Sequence, residues 1–151
     1  MKNTTWQQLQ PGQVVSFQYK SQNKRSAKRY VLILDPRYPY RKKKTNKIVE
    51  FVIGLEIDSS DKPALNRVKV KQLLKDLSIE DKGTQVQRMK NTYDSIKTFL
   101  KSNDIFRTYF LRECRRRRVF LQDEYEALNP IQMKQVSQEL IKENKNKLEE
   151  A

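Results

Sequence analysis

The segment Arg37-Tyr38-Pro39-Tyr40-Arg41-Lys42-Lys43-Lys44 sets two aromatic rings among five cations. That mixture suits a phosphate polymer: cations hold the backbone while a tyrosine ring stacks on a base. The alternative is that Tyr38 and Tyr40 pack over the rim of a sheet, with Pro36 and Pro39 stiffening the loop. Lys24, Arg25, Lys28 and Arg29 present the same choice, and Arg29, at a strand start, is also placed to pair with Glu50 or Glu56. No base-reading pattern accompanies these residues, so the chemistry expected is backbone holding without sequence readout. A second cationic run is Arg115-Arg116-Arg117-Arg118. On a helix four consecutive residues fan through roughly 300°. Two of these arginines, Arg115 and Arg116 in this reading, are then expected to meet phosphate or an acidic partner. The rest are solvated or paired with Asp123, Glu124 and Glu126.

Other chemistries are excluded by residue type. The chain contains no histidine and one cysteine, Cys114. Ser-His and Cys-His nucleophile pairs are therefore absent, and so is the Cys/His set of a structural zinc site. Gly12, Gly54 and Gly83 are isolated, whereas phosphate-cradling nucleotide loops need clustered glycines. Asp58 and Asp61 could be a carboxylate pair for a divalent cation, but they flank Ser59-Ser60 ahead of Pro63, where aspartate is an ordinary turn residue. Cys114 on an apolar face is expected to pack as a small hydrophobe. The expectation is a protein with no enzymatic activity, no cofactor and no metal.

The charge balance points the same way. The 151 residues hold 32 Lys+Arg against 18 Asp+Glu, a net +14. Between Lys20 and Lys47 there are eleven basic residues and one acid, Asp35, for a local +10. Charge so concentrated repels itself in the compact state unless a polyanion neutralises it. Nucleic acid, DNA or RNA, is the partner that does so most directly. An acidic protein surface and a merely solvated face are the alternatives. No apolar run approaches the roughly 18 residues of a membrane span, and Met1-Lys2-Asn3-Thr4-Thr5-Trp6 is no secretory leader. With a lone cysteine, a cytoplasmic location is expected, in the host cytoplasm or a virion if phage-encoded.

The elements that must carry these residues begin with strands. Gln13 to Tyr19 alternates, with Val15, Phe17 and Tyr19 on one side and Val14, Ser16 and Gln18 on the other. Tyr30 to Leu34 reads as a buried strand that Asp35-Pro36 ends. Ile48 to Ile57 alternates again: Val49, Phe51, Ile53, Leu55 and Ile57 oppose Glu50, Val52, Gly54 and Glu56. The connections Lys20 to Lys28 and Asp35 to Lys47 are then basic loop tips, where binding residues tend to sit. Helices follow. Arg67 to Leu77 reads as a short one. Thr84 to Leu100 carries a helical stripe of Val86, Met89, Tyr93, Ile96, Phe99 and Leu100. Asp104 can cap the next element, whose helical face is Ile105, Phe106, Tyr109, Phe110 and Cys114. Val119-Phe120-Leu121 is either a returning strand or the end of that helix. Asn129-Pro130 starts a last helix, which fades into Lys142 to Lys147. Trp6 is expected to be a packing anchor.

Pro11-Gly12-Gln13-Val14-Val15-Ser16-Phe17, followed after a basic loop by Arg29-Tyr30-Val31-Leu32-Ile33-Leu34, resembles the opening of small SH3-like barrel modules of the KOW and MazF/PemK toxin types. The resemblance covers residues 10 to 58. The toxin endoribonucleases show a glycine-rich first loop and an Arg-Pro step before the second strand. Here the loop has no glycine and Arg29 precedes Tyr30, so no catalytic residue carries over. A short Lys- and Asn-rich chain of barrel plus helices also resembles small uncharacterised proteins of large tailed phages. The expectation is an α+β chain: residues 1–66 an SH3-like antiparallel β-barrel with basic loops, residues 67–151 a helical region, separate or packed with the barrel as one domain. Its expected function is that of a non-catalytic accessory protein holding a nucleic-acid backbone on the barrel loops. The alternative is a structural or assembly component of a larger complex, such as a phage virion or ribonucleoprotein. A toxin-like endoribonuclease is the distant third.

Overall fold

A computed structural model describes residues 2–20, 25–60, 67–79, 85–123, 125 and 130–151. Six strands form one antiparallel sheet: β1 (Lys2–Thr4), β2 (Val14–Tyr19), β3 (Ala27–Arg41), β4 (Ile48–Ser59), β5 (Phe106–Phe110) and β6 (Val119–Leu121). Their spatial order is β1-β6-β2-β3-β4-β5. The helices are α1 (Arg67–Ile79), α2 (Gln85–Ser102), the single turn α3 (Leu111–Cys114), α4 (Pro130–Glu143) and α5 (Lys145–Glu150). The fold is thus α+β. The segment after residue 67 supplies the helices and also β5 and β6, which pair with β4, β2 and β1.

Period-two alternation sorts the strand residues onto two buried faces. Val14, Leu32, Leu34, Phe51, Ile53, Leu55 and Ile57 join one cluster, completed by Ile96, Met133, Val136, Leu140 and Leu148 from the helices. Val15, Phe17, Tyr19, Val31, Ile33, Val52 and Tyr109 join the other, with Trp6, Leu9, Leu111 and Cys114. The sheet curls around this second cluster. Three strand spacings separate β2 from β5, about 14 Å in a flat sheet. Yet the Tyr109 ring of β5 lies 5.3 Å from Phe17 and 4.9 Å from Tyr19 of β2. The Phe110 N–H donates to the Tyr19 hydroxyl at 3.1 Å across the same gap. Among the described residues no ladder joins β5 to β1, so the sheet stays open. Gly54 marks the tightest crossing: a Cβ there would stand 2.6 Å from the Leu32 carbonyl oxygen and 2.3 Å from Val31 Cγ1.

Three expectations are corrected. Asp35-Pro36 does not end β3, which runs on to Arg41 through register shifts between Ile33 and Asp35 and between Asp35 and Tyr38. The pairing with β2 stops at Leu32, so residues 35–41 form an edge where a proline without N–H breaks no ladder. The Asp35 carboxylate accepts the Arg37 N–H at 2.8 Å and closes the bulge. The basic connection therefore shrinks to the turn after Arg41, with Asn46 at φ 57°. The second correction is at Phe106–Phe110, a strand rather than a helical face. Phe106 and Phe110 turn to the helix-covered side, Tyr109 to the other. Asp104 caps nothing; it accepts from Lys147 at 3.4 Å. The chain end does not fade either, because α5 follows α4 and buries Leu148.

Candidate functional site

The β3–β4 hairpin holds most of the residues singled out in the sequence. The tyrosine rings of Tyr38 and Tyr40 are half-buried against the helix-covered core, so both take the packing alternative. The Arg41 guanidinium donates to the Asn46 carbonyl at 3.1 Å and braces the turn. The side chains of Arg37, Lys43, Lys44 and Lys47 are exposed. One acidic side chain reaches this tip from far along the chain. The Glu149 carboxylate of α5 accepts the Tyr40 hydroxyl at 2.8 Å, the Lys43 N–H at 2.9 Å and the Lys44 N–H at 3.2 Å. The Lys42 ammonium donates to the Ala151 carbonyl oxygen beside it. The Tyr40 bond is the main cause holding the Glu149 carboxyl below its ordinary value, and the Lys43 and Lys44 amides and the Lys42 charge add to it. Its stabilisation is complete above the ordinary carboxylate range and is lost as pH falls through the lowered value, so acid releases this contact.

The first basic loop contributes less. Lys24 lies outside the described residues, and Arg25 is exposed. The Lys28 ammonium rests 5.4 Å from the centre of the Tyr30 ring. Arg29 is buried and donates to Glu56 at 2.9 Å, the ion pair anticipated from sequence. Arg107 of β5 donates to the other oxygen of Glu56 at 3.1 Å.

The arginine run follows α3 and is divided by its neighbours. The Arg116 and Arg112 guanidiniums stand 3.8 and 3.9 Å from Glu113. Arg115, Arg117 and Arg118 are exposed and have no ion pair among the described residues. The turn is pinned by Trp6, whose indole N–H donates to the Arg117 carbonyl at 2.9 Å. Thr4, Thr5, Trp6, Arg115, Arg117 and Arg118 line a cavity of about 410 Å³ here. Arg115 also borders a smaller cavity of about 270 Å³ with Arg112, Phe110 and the start of β4 at Ile48–Glu50. The structure thus brings the arginine turn next to the turn end of the basic hairpin. Of the pair read from sequence, Arg115 stays available and Arg116 is engaged by Glu113. Arg117 and Arg118 take its place, a choice set by Glu113 and by the Trp6 bond.

The remaining candidates are quiet. A third cavity of about 430 Å³ between α2 and α4–α5 is lined by Lys97, Asp104, Glu143 and Lys147. Two ion pairs cross it, Lys97 to Glu143 and Lys147 to Asp104, each at 3.4 Å, and Lys101 adds a further cation to its lining. Asp58 is a strand residue rather than the turn residue expected, lying in β4 opposite Tyr30, with its carboxylate accepting the Ser59 N–H at 2.8 Å, while Asp61 lies outside the described residues. Among the described residues no group of three or more His, Cys, Asp or Glu gathers to hold a metal. None of the described helices is long and apolar enough to cross a membrane. Cys114 is fully buried, and burial pushes its thiol well above the usual range, with Glu113 adding to the shift. Alkylation of Cys114 by iodoacetamide at pH 8 is therefore expected to be slow in the folded protein and fast in urea, with rates followed by intact mass. No protein-family model, curated protein or solved structure matches this chain.

Proposed function

We propose that this protein is a non-catalytic basic accessory protein that holds a nucleic-acid backbone. The observation that carries the reading is the trio Arg115, Arg117 and Arg118, exposed beside Thr4 and Thr5 with no acidic partner among the described residues. Guanidiniums with no ion pair among the described residues, in a chain of net +14, suit an anion from outside. Forked guanidiniums and hydroxyls suit phosphate oxygens. The exposed cations Arg37, Lys43, Lys44 and Lys47 continue the surface along the hairpin. We read the curled sheet as an opened SH3-like barrel, a reading supported by the contact of Tyr109 with Phe17. The second reading is a structural component of a larger complex, in which an acidic protein surface takes the place of phosphate. The two ion pairs at the third cavity and the short C-terminal helix favour it less than the arginines without a described ion pair favour phosphate.

The test is fluorescence anisotropy of labelled single- and double-stranded DNA and RNA across a salt series, with an acidic protein of matched size as competitor. Wild type is expected to bind with a steep salt slope. Arg115→Gln, Arg117→Gln and Arg118→Gln together are expected to lower that slope by about 2 to 3 and to weaken all sequences equally. Neutralising Arg41 to Lys44 is expected to act in the same direction. Weak binding to every polymer, competed equally by the acidic protein, would transfer the protein to the assembly reading.

A further inference from the structure

The hairpin tip is already occupied, and the occupant belongs to the chain itself. Two successive backbone N–H groups, those of Lys43 and Lys44, and one phenolic hydroxyl, that of Tyr40, converge on the carboxylate of Glu149. Consecutive amides turned to one point make an anion-binding concavity. Bonds from amide and hydroxyl to a charged oxygen are the stronger kind. The concavity follows from local structure, since Asn46 at φ 57° and the Arg41 brace hold the turn in this shape.

Glu149 satisfies the amides but not the side chains around them. Lys43, Lys44 and Lys47 are exposed, and none has an ion pair among the described residues. One carboxylate leaves that charge standing, whereas a chain of phosphates would fill the seat with one oxyanion and meet the lysines with the next. Nor does α5 depend on Glu149 alone. Leu148 is buried, and Lys147 binds Asp104 and lies 5.3 Å over the Phe106 ring. The Glu149 side chain can therefore leave while its helix stays.

We propose that the tip of the β3–β4 hairpin is an oxyanion seat for a backbone phosphate, and that Glu149 is a built-in competitor that must leave before phosphate enters. The identity of the anion rests on the nucleic-acid reading; the seat itself does not. Bound phosphate and docked Glu149 exclude one another, so the C-terminal helix tunes the affinity of the hairpin.

The experiment uses the full chain with Glu149→Ala, and Glu150→Ala as the control that removes equal charge from an exposed neighbour. Amide shifts of Lys43 and Lys44 are followed in a titration with inorganic pyrophosphate, and anisotropy with a labelled oligonucleotide is measured in parallel. In Glu149→Ala both amides are expected to shift saturably at about tenfold lower pyrophosphate than in wild type or Glu150→Ala, and the oligonucleotide to bind about tenfold tighter. Glu149→Gln, which keeps the side-chain shape, should fall between. Equal amide responses in Glu149→Ala and Glu150→Ala would overturn the seat, even where the oligonucleotide still binds all forms through the arginine turn. An amide response to pyrophosphate with no oligonucleotide binding by any form would keep the seat and remove the nucleic-acid reading.

Discussion

Glu56→Ala is expected to cost about 3 to 5 kcal/mol of folding stability, read as a lower urea midpoint followed through the fluorescence of Trp6, the chain's single tryptophan. Glu56 is 7% exposed and Arg29 3%. Its two oxygens take Arg29 at 2.9 Å and Arg107 at 3.1 Å, so one carboxylate offsets two cations from neighbouring strands. Removing it takes from the buried Arg29 guanidinium the carboxylate 2.9 Å away, and a buried charge that loses a counter-charge is costly. Ser59 Oγ, 3.3 Å from the same guanidinium nitrogen, carries no charge to replace it. The cost belongs to the broken pair rather than to the pair as such. Replacing both members together, Arg29→Met with Glu56→Leu, is therefore expected to recover most of the loss. A double variant no more stable than Glu56→Ala alone would show that the ion pair itself holds β3 to β4.

Phe17→Ala is expected to cost a similar 3 to 5 kcal/mol, roughly the penalty of emptying a fully buried aromatic site. Phe17 is the centre of an edge-to-face cluster, 5.1 Å from Trp6, 6.3 Å from Tyr19 and 5.3 Å from Tyr109. Those rings come from β2, β5 and the turn that follows β1. Phe17 therefore props the curl as well as filling volume. Its loss is expected to redden Trp6 emission in the native state and to free the Phe110 amide, now bonded to Tyr19, for faster hydrogen exchange. Phe17→Leu keeps much of the volume and forfeits the ring contacts, so about 1 to 2 kcal/mol is expected. If Phe17→Ala matched Phe17→Leu, the aromatic cluster would be passive filling and the curl would have another cause.

What could be read along the chain was whatever depends on neighbouring residues. The alternation of β2 separates Phe17 from Val14 and that of β4 separates Phe51 from Val52, as expected from period two alone. The stripe from Val86 to Leu100 pointed to α2, and Asn129-Pro130 marked the start of α4 at Pro130, with Asn129 itself outside the described residues. Even the ion pairing of Arg29 was legible as far as Glu50 or Glu56, because a charged residue at a strand start has few places to turn, and the fold chose Glu56.

Tertiary structure decided the rest. Phe106, Tyr109 and Phe110 fit a helix or a strand, and only the unpaired edge of β4 made them a strand. Pro36 and Pro39 end a central strand but not an edge, and β3 becomes an edge only because β2 stops opposite Leu32. The partners of the candidate site lie far apart in the chain. Tyr40 meets Glu149 across 109 residues, and Trp6 meets the Arg117 carbonyl across 111. No periodicity spans such distances. Which cations stay open to a ligand was set by where the packed core delivers the chain's few acids, and that delivery is a property of the fold.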